Sequence, residues 1–279
     1  MNHFFNSCTS DYKSSSIIVF GVPYDGTTSY RPGARLAPNR IRLESVGIET
    51  YSPYLDKDMN DYQFHDSGDS LIALGNVEKT LNTIYNSAKK YYTDNKKTLM
   101  IGGEHLVTYP TVKACLESYP NLRVVHFDAH TDLRDSFLGE EMSHATVLKK
   151  IADELGDNRL FQFGIRSGTK KEFQYAKNHQ YIEIAGVKTL PDIISKLQGH
   201  PIYITLDVDV LDPSIMSGTG TPEAGGITYK ELLEALLVLK DQNIVGADVV
   251  ELAPDYDNSG VSTATACTLI RELLLLMAK

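Results

Sequence analysis

Residues 123–132 read RVVHFDAHTD, and three of them, Asp128, His130 and Asp132, are metal-ligand types at alternate positions. The stretch opens apolar, with Val124, Val125 and Phe127, as a buried strand would. Alternate residues of a strand share a face, so the two acids and the histidine are expected to converge at its end. Charged side chains are almost never buried without a partner. A divalent cation is an economical partner for such a cluster, and carboxylate oxygens are the ligands that hard cations take. Residues 202–212 (IYITLDVDVLD) repeat the device, with Asp207 and Asp209 two positions apart after an apolar run. Two strands that both end in same-face carboxylates point to one site holding more than one divalent ion.

The elements that must position these residues alternate in type. Strands are read at 16–23, 98–103, 123–132, 160–165, 202–209 and 244–252, with shorter ones at 71–73 and 181–184. Helical spacing covers 77–93, where Val77, Leu81, Ile84 and Ala88 fall on one face. Further helices are expected at 40–49, 108–118, 144–155, 172–178, 192–197, 229–240 and 264–277. Residues 60–67 are polar, and 24–40 form a long Gly/Pro/Thr loop of the kind that is usually functional. Strand–helix alternation with nearly continuous apolar strands predicts an α/β fold: a single domain with a mainly parallel β-sheet and helices on both faces. The domain is expected to span 17–279, with 1–16 as an N-terminal arm. Glu104, His105, Asp128, His130, Asp132, Asp207, Asp209 and Glu251 all sit at or just past a strand's C-terminal end, where open α/β sheets bind ligands.

Composition narrows the function. The chain has 279 residues, 42% hydrophobic and 23% charged, with a formal net charge of −9. That charge disfavours nucleic acid as a partner. No long apolar window suggests a membrane span and no signal-peptide layout opens the chain, so a cytoplasmic protein is expected. Cys8, Cys115 and Cys267 are odd in number and lack CxxC spacing, which fits a reducing compartment and no zinc ribbon. Gly102–Gly103 is no phosphate loop, because no Gly-Lys-Ser/Thr follows. Asp212–Pro213 reads as turn chemistry. His126 shares a face with the ligands yet reads as a hydrogen-bonded core histidine. His3, His65, His179 and His200 read as surface.

Taken together the motifs resemble the ureohydrolases, the arginase and agmatinase family. The match comprises GGEH at 102–105, DAHTD at 128–132, SHAT at 143–146, DVDVLDP at 207–213, GTGTPEAGG at 218–226 and VEL at 250–252. It runs in the family's order from about residue 17 to the C-terminus, and implies the arginase-like three-layer fold. The resemblance implies two Mn²⁺ per subunit: one held by His105, Asp128, Asp132 and Asp207, the other by Asp128, His130, Asp207 and Asp209. Oxygen ligands with a few imidazoles suit Mn²⁺. It also implies that Glu251 holds the substrate guanidinium, that His144 contacts substrate and shuttles protons, and that a hydroxide shared by the two ions attacks the guanidinium carbon.

Among relatives, Leu133–Arg134–Asp135 stands where arginases carry an Asn for the substrate's α-carboxylate. RPGAR at 31–35 and GTGTPEAGG look like the agmatinase branch. The expected reaction is agmatine to putrescine and urea, in a cytoplasmic trimer or hexamer serving polyamine biosynthesis. Arginase, guanidinobutyrase, aminopropylagmatine ureohydrolase and formiminoglutamase activities are the alternatives. A catalytically silent polyamine-binding relative is the non-enzyme alternative. Arg134 could suit a carboxylate-bearing substrate or pair with Asp135 or Glu140. Ala145 of SHAT departs from the glycine found in many members.

Overall fold

Strands buried on both faces must be covered on both faces, and the structure shows how. A computed structural model describes residues 5–279; the first four residues of the expected arm, and His3 with them, lie outside the described residues. The strands are β1 (Ile17–Gly21), β2 (Tyr51–Ser52), β3 (Lys57–Asp58), β4 (Phe64–Asp69), β5 (Lys97–Ile101), β6 (Arg123–Phe127), β7 (Leu160–Ile165), β8 (Tyr181–Ile184), β9 (Pro201–Asp207) and β10 (Asn243–Val250). The helices are α1 (Ala37–Glu44), α2 (Val77–Thr93), α3 (Thr108–Ser118), α4 (Val147–Leu155), α5 (Lys170–His179), α6 (Leu190–Leu197), α7 (Tyr229–Val238) and α8 (Val261–Met277). β2 and β3 form a small antiparallel ribbon. The other eight strands form one sheet in the order β4-β1-β5-β10-β9-β6-β7-β8, and all its pairings are parallel. Helices α1, α8, α7 and α6 contact one another in sequence, as do α2, α3 and α4 in the opposite layer. Among the described residues no helix is long and apolar enough to cross a membrane.

The topology explains the position of the motifs. After β5 the chain skips two places to lay down β6, runs outward through β7 and β8, and then returns to fill the gap with β9 and β10. The four central strands, β5, β10, β9 and β6, therefore come from distant parts of the sequence. Their C-terminal ends lie side by side, because Val249 pairs with Ile101, Val250 with Asp207, and Phe127 with Leu206. Each of those ends runs into one motif. A reversal of strand order of this kind is where α/β sheets open a crevice.

Two expectations change. The polar stretch at 60–67 runs into the edge strand β4, and no strand forms at 71–73. Its inward positions are Phe64 and Asp66, and an ion pair stands where an apolar residue was sought. Arg42 of α1 binds Asp66 from Nε (2.8 Å) and Nη2 (2.9 Å). The second difference is in residues 5–15. Phe5 and Cys8 are buried, the Phe5 N–H donates to Asp66 at 2.9 Å, and Thr9 bridges to His65. His65, expected at the surface, is half-buried on β4 and its Nδ1 lies 2.8 Å from the Ser10 carbonyl.

Gly103 marks the place where three segments meet. The Glu104 N–H donates to the Tyr24 carbonyl (2.8 Å), and the Glu251 N–H donates to the Gly103 carbonyl (2.8 Å). A Cβ on Gly103 would lie 1.9 Å from the Tyr24 carbonyl oxygen, which is backbone and cannot swing aside. Gly103→Ala is therefore expected to lower stability by about 1–3 kcal/mol, the usual cost of forcing a methyl into packed space. Denaturant unfolding of the two proteins checks this, and equal midpoints would contradict the close approach.

Candidate metal centre

β6 ends at Phe127, so residues 128–132 are not a strand. The sequence anticipated the convergence of Asp128, His130 and Asp132, but strand alternation is not its cause. The loop turns them inward: His130 bridges to Ser167, and Asp132 adopts a left-handed φ of 50°. Likewise Asp207 closes β9, while Asp209 lies on the short 3-10 turn Val208–Val210. The Asp207 side chain accepts from the Asp209 N–H at 2.8 Å, which folds the second acid back towards the first. Glu251 follows β10 with a φ of 65°. Left-handed conformations of non-glycine residues cost energy and cluster at functional sites.

His105 stands at the centre. Its Nδ1 faces Asp128 Oδ2 at 3.1 Å, Asp132 Oδ2 at 3.3 Å and Asp207 Oδ2 at 3.4 Å. That nitrogen is buried and has no hydrogen-bond partner among the described residues. A second group adjoins the first: His130 Nδ1 lies 3.1 Å from Asp209 Oδ2 and 3.4 Å from Asp128 Oδ1. Asp128 belongs to both groups. Together they bring all six anticipated ligand residues to one place. A ring nitrogen without a partner, amid three carboxylate oxygens, is the arrangement a bound cation would complete.

His126 also touches the cluster, with Nε2 2.8 Å from Asp128 Oδ2. Its chemistry is different. Gln162 Nε2 donates to the Thr131 carbonyl (2.9 Å), which fixes the amide's orientation, and the same nitrogen lies 3.1 Å from His126 Nδ1. Nδ1 therefore accepts, and the proton is on Nε2, donated to Asp128. His126 is a neutral core histidine that orients a candidate ligand, and its one ring lone pair, on Nδ1, is taken by Gln162. The sequence identified it as a core residue but gave no hint of Gln162.

The rest of the pocket is organised by Glu104. This buried carboxylate accepts from Thr27 N (2.9 Å), Thr27 Oγ1 (2.6 Å) and Thr28 Oγ1 (3.1 Å). It thereby ties the long 24–36 loop beneath the centre. Thr27 Oγ1 in turn accepts from the His144 N–H at 3.1 Å, and Ser29 Oγ lies 3.3 Å from His144 Nε2. The Glu251 carboxylate accepts from the His105 N–H at 2.7 Å through Oε1. A cavity of about 310 Å³ opens above, lined by residues that include His130, Asp132, Arg134, His144 and Glu251. Arg134 pairs with neither Asp135 nor Glu140. It stacks on Phe137 (4.6 Å) and approaches the buried Glu172 at 3.5 Å. Tyr30 is exposed, and Tyr24 lines a separate cavity.

Electrostatics follow from crowding. Burial works against the charge on Asp128, yet His126, His105 and His130 hold it well below the usual carboxylate range. Burial, with Asp209 and Asp128, pushes Asp207 well above that range, and burial with Asp128 brings Asp132 to about 6. Burial opposes charge on His105 and His130, but the surrounding carboxylates raise both well above the ordinary histidine value. Burial and Glu104 push Glu251 to about 8, and burial lifts Glu104 to about 7. Burial lowers His144 to about 4, so its ring is neutral at neutral pH.

Residues 15–276 match the arginase family, and the chain belongs to that family, the ureohydrolases. The agmatinase of Bacillus subtilis (strain 168) is 45% identical over 269 residues, 95% of this chain and 93% of its own. A crystal structure from Clostridium difficile, itself put forward as an agmatinase, is 52% identical with a TM-score of 0.94, covering 96% of this chain and 99% of that one. The human mitochondrial guanidino acid hydrolase is 35% identical over 93% of this chain and 77% of its own.

The pKa shifts set a stability profile for protein stripped of metal. Glu104 and Glu251 titrate near 7 and 8 in the fold against an ordinary 4.5, so their contribution is present below 4.5 and lost as pH rises through 7 and 8. The raised histidines have the same sign. His144, depressed from 6.5, contributes stability that is lost as pH falls from 6.5 through 4, and it does not oppose this trend above 6.5. The melting temperature of chelator-treated protein should fall between pH 6.5 and 8, whereas metal-loaded protein should change less. A flat profile for the stripped protein would contradict the electrostatics.

Proposed function

We propose that the chain hydrolyses agmatine to putrescine and urea at a pair of Mn²⁺ ions. The observation that carries the metal reading is the unpartnered His105 Nδ1 facing three carboxylates. The substrate reading is supported by agmatinase relatives at 44–45% identity over 95% of the chain. His105, Asp128, Asp132 and Asp207 would hold one ion. Asp128, His130, Asp207 and Asp209 would hold the other, with Asp128 and Asp207 bridging. Bound there, the ions would supply the Lewis acidity that brings water from a pKa of ~15.7 towards ionisation at neutral pH. A cytoplasmic homo-oligomer, trimer or hexamer, accompanies this reading.

The chain's own residues do the rest. A protonated guanidinium is resonance-stabilised and a poor electrophile, so it must be held and desolvated. Glu251 is the partner: the His105 N–H occupies Oε1 and leaves Oε2 for the planar donors of the substrate. A cationic guanidinium favours the ionised carboxylate and so displaces the proton that burial keeps on Glu251 near pH 8. As the C–N bond breaks, the departing amine must gain a proton. His144, neutral in the free protein, can take up and pass one through Nε2, which meets the exposed Ser29 hydroxyl at the cavity. The Glu172 partner of Arg134 accepts from Thr131 Oγ1 and from the N–H groups of Leu133 and Thr169, so this pair is part of the loop scaffold.

Protein stripped of metal and reloaded with Mn²⁺ is expected to release urea from agmatine and little from arginine or 4-guanidinobutyrate. Urea from the guanidino acid instead would transfer the assignment to Arg134-assisted carboxylate binding. Urea from no guanidino compound, with putrescine bound, would establish the silent relative. Asp128→Asn should lose metal and activity together, and full metal content in that variant would remove Asp128 from the bridging role. Glu251→Gln should keep its metal and raise KM for agmatine, since an amide cannot balance the guanidinium charge; an unchanged KM would count against the pairing.

A further inference from the structure

Beneath the ligands lies a chain of buried polar groups that sequence motifs do not mark. His105 Nε2 is 2.9 Å from Thr205 Oγ1. The Thr205 hydroxyl lies 2.7 Å from Asp248 Oδ1, and the Tyr203 hydroxyl donates to Asp248 Oδ2 at 2.7 Å. Thr205, Asp248, Tyr203 and His105 are all buried, three of them completely. Thr205 and Tyr203 are on β9 and Asp248 on β10, two strands in parallel register with Asp248 opposite Thr205. Hydrogen-bonding capacity settles the direction of each bond. An ionised carboxylate only accepts, so the Thr205 proton is committed to Asp248. The Thr205 oxygen is then left to accept, and the group facing it must be His105 Nε2–H. With one proton fixed on Nε2, any second proton that the crowded carboxylates draw onto the ring sits on Nδ1, the atom facing Asp128, Asp132 and Asp207, and that is the proton a cation displaces.

The geometry points to Thr205 and Asp248 as positioning residues that set the tautomer of His105. They hold one proton on Nε2, so that Nδ1 is the nitrogen a cation takes. Groups that orient a metal-binding histidine from its far side typically contribute 10–100-fold in metal affinity. Asp248 also places a negative charge behind the imidazole, which increases the basicity of Nδ1. The arrangement differs from that at His126, where Gln162 and the Thr131 carbonyl put the proton on the nitrogen facing Asp128. Two neighbouring histidines, their ring centroids 5.2 Å apart, are thus set in opposite senses by the groups behind them: one to ligate and one to donate.

This inference rests on the reading that the cluster binds Mn²⁺, and the test separates the two. Thr205→Val removes the acceptor with little change in shape, and Thr205→Ser retains it. Asp248→Asn keeps the packing but removes the charge that fixes the direction of the Thr205 proton. Mn²⁺ binding by calorimetry is expected to weaken about 10–100-fold in Thr205→Val and Asp248→Asn and to return to within a few-fold in Thr205→Ser. Nitrogen-15 NMR of histidine-labelled, metal-free protein, followed to the pH at which the His105 ring loses its second proton, should show the Nε2–H tautomer in the parent and in Thr205→Ser, and a mixture in the other two. Should Thr205→Val fail to fold, Asp248→Asn against Thr205→Ser supplies the same comparison. Unchanged Mn²⁺ affinity and tautomer in a folded Thr205→Val or Asp248→Asn would overturn the inference. Absence of Mn²⁺ binding by the parent protein would overturn the metal reading itself.

Discussion

Four aspartates and two histidines at the end of one sheet cannot remain mutually repelling and dry. At separations of 3 to 4 Å in a poorly solvated site, like charges repel by several kcal/mol, and each buried carboxylate also loses its hydration. The fold meets this demand with positive and polar groups placed around the cluster. His126 donates to Asp128, the Ala129 N–H donates to Asp209 at 3.1 Å, and the Thr221 hydroxyl reaches Asp209 at 3.3 Å. These contacts account for part of the charge. The remainder appears as raised affinity for protons on His105, His130 and Asp207. A site that binds protons so readily offers the same electron pairs to divalent cations, and protons and metal compete for it.

That constraint propagates outward through the architecture. The carboxylates must come from strand ends, because only there can a backbone buried on both sides expose polar side chains to a common space. They must come from adjacent strands, and the back-filled order of the sheet makes β5, β10, β9 and β6 neighbours. The long loop after β1 must cross close to the centre, and Gly103 permits that approach. Glu104 then fixes the loop through Thr27 and Thr28, and through Thr27 it reaches His144. A single buried acid beside His105 thus links the candidate metal centre to the wall of the cavity. The helices α2 to α4 on one face and α1 and α6 to α8 on the other supply the apolar burial that keeps this polar end rigid.

Much of this was legible in the residues. The alternation of apolar strand and amphipathic helix identified the parallel sheet, since a strand covered on both faces has no reason to alternate polar and apolar positions. The ligand residues announced themselves because acids at the ends of apolar runs have few other uses. Other parts were hidden. The edge strand β4 reads as polar because its buried Asp66 is matched by Arg42, and the pairing partner is far away in sequence. The acids of residues 128–132 converge through a loop and a left-handed residue, where strand geometry had been the expected cause. Asp248 carried a signal: it is an acid inside the apolar run of β10. Its meaning depends on Thr205 across the strand pair, and register between residues 43 apart in the chain is not written in local spacing.

The sequence by itself named the candidate ligand residues, most of the elements and membership of a family, because residue type fixes which atoms can ligate and apolar periodicity fixes which faces are buried. The tertiary structure decided what those atoms are ready to do. Which nitrogen of His105 or His126 carries a proton, whether Glu251 is charged, and how His144 is held near the cavity all depend on hydrogen bonds and Coulomb terms that change sharply over an ångström. Such distances are set by packing between segments far apart in the chain, so no local pattern of residues can encode them.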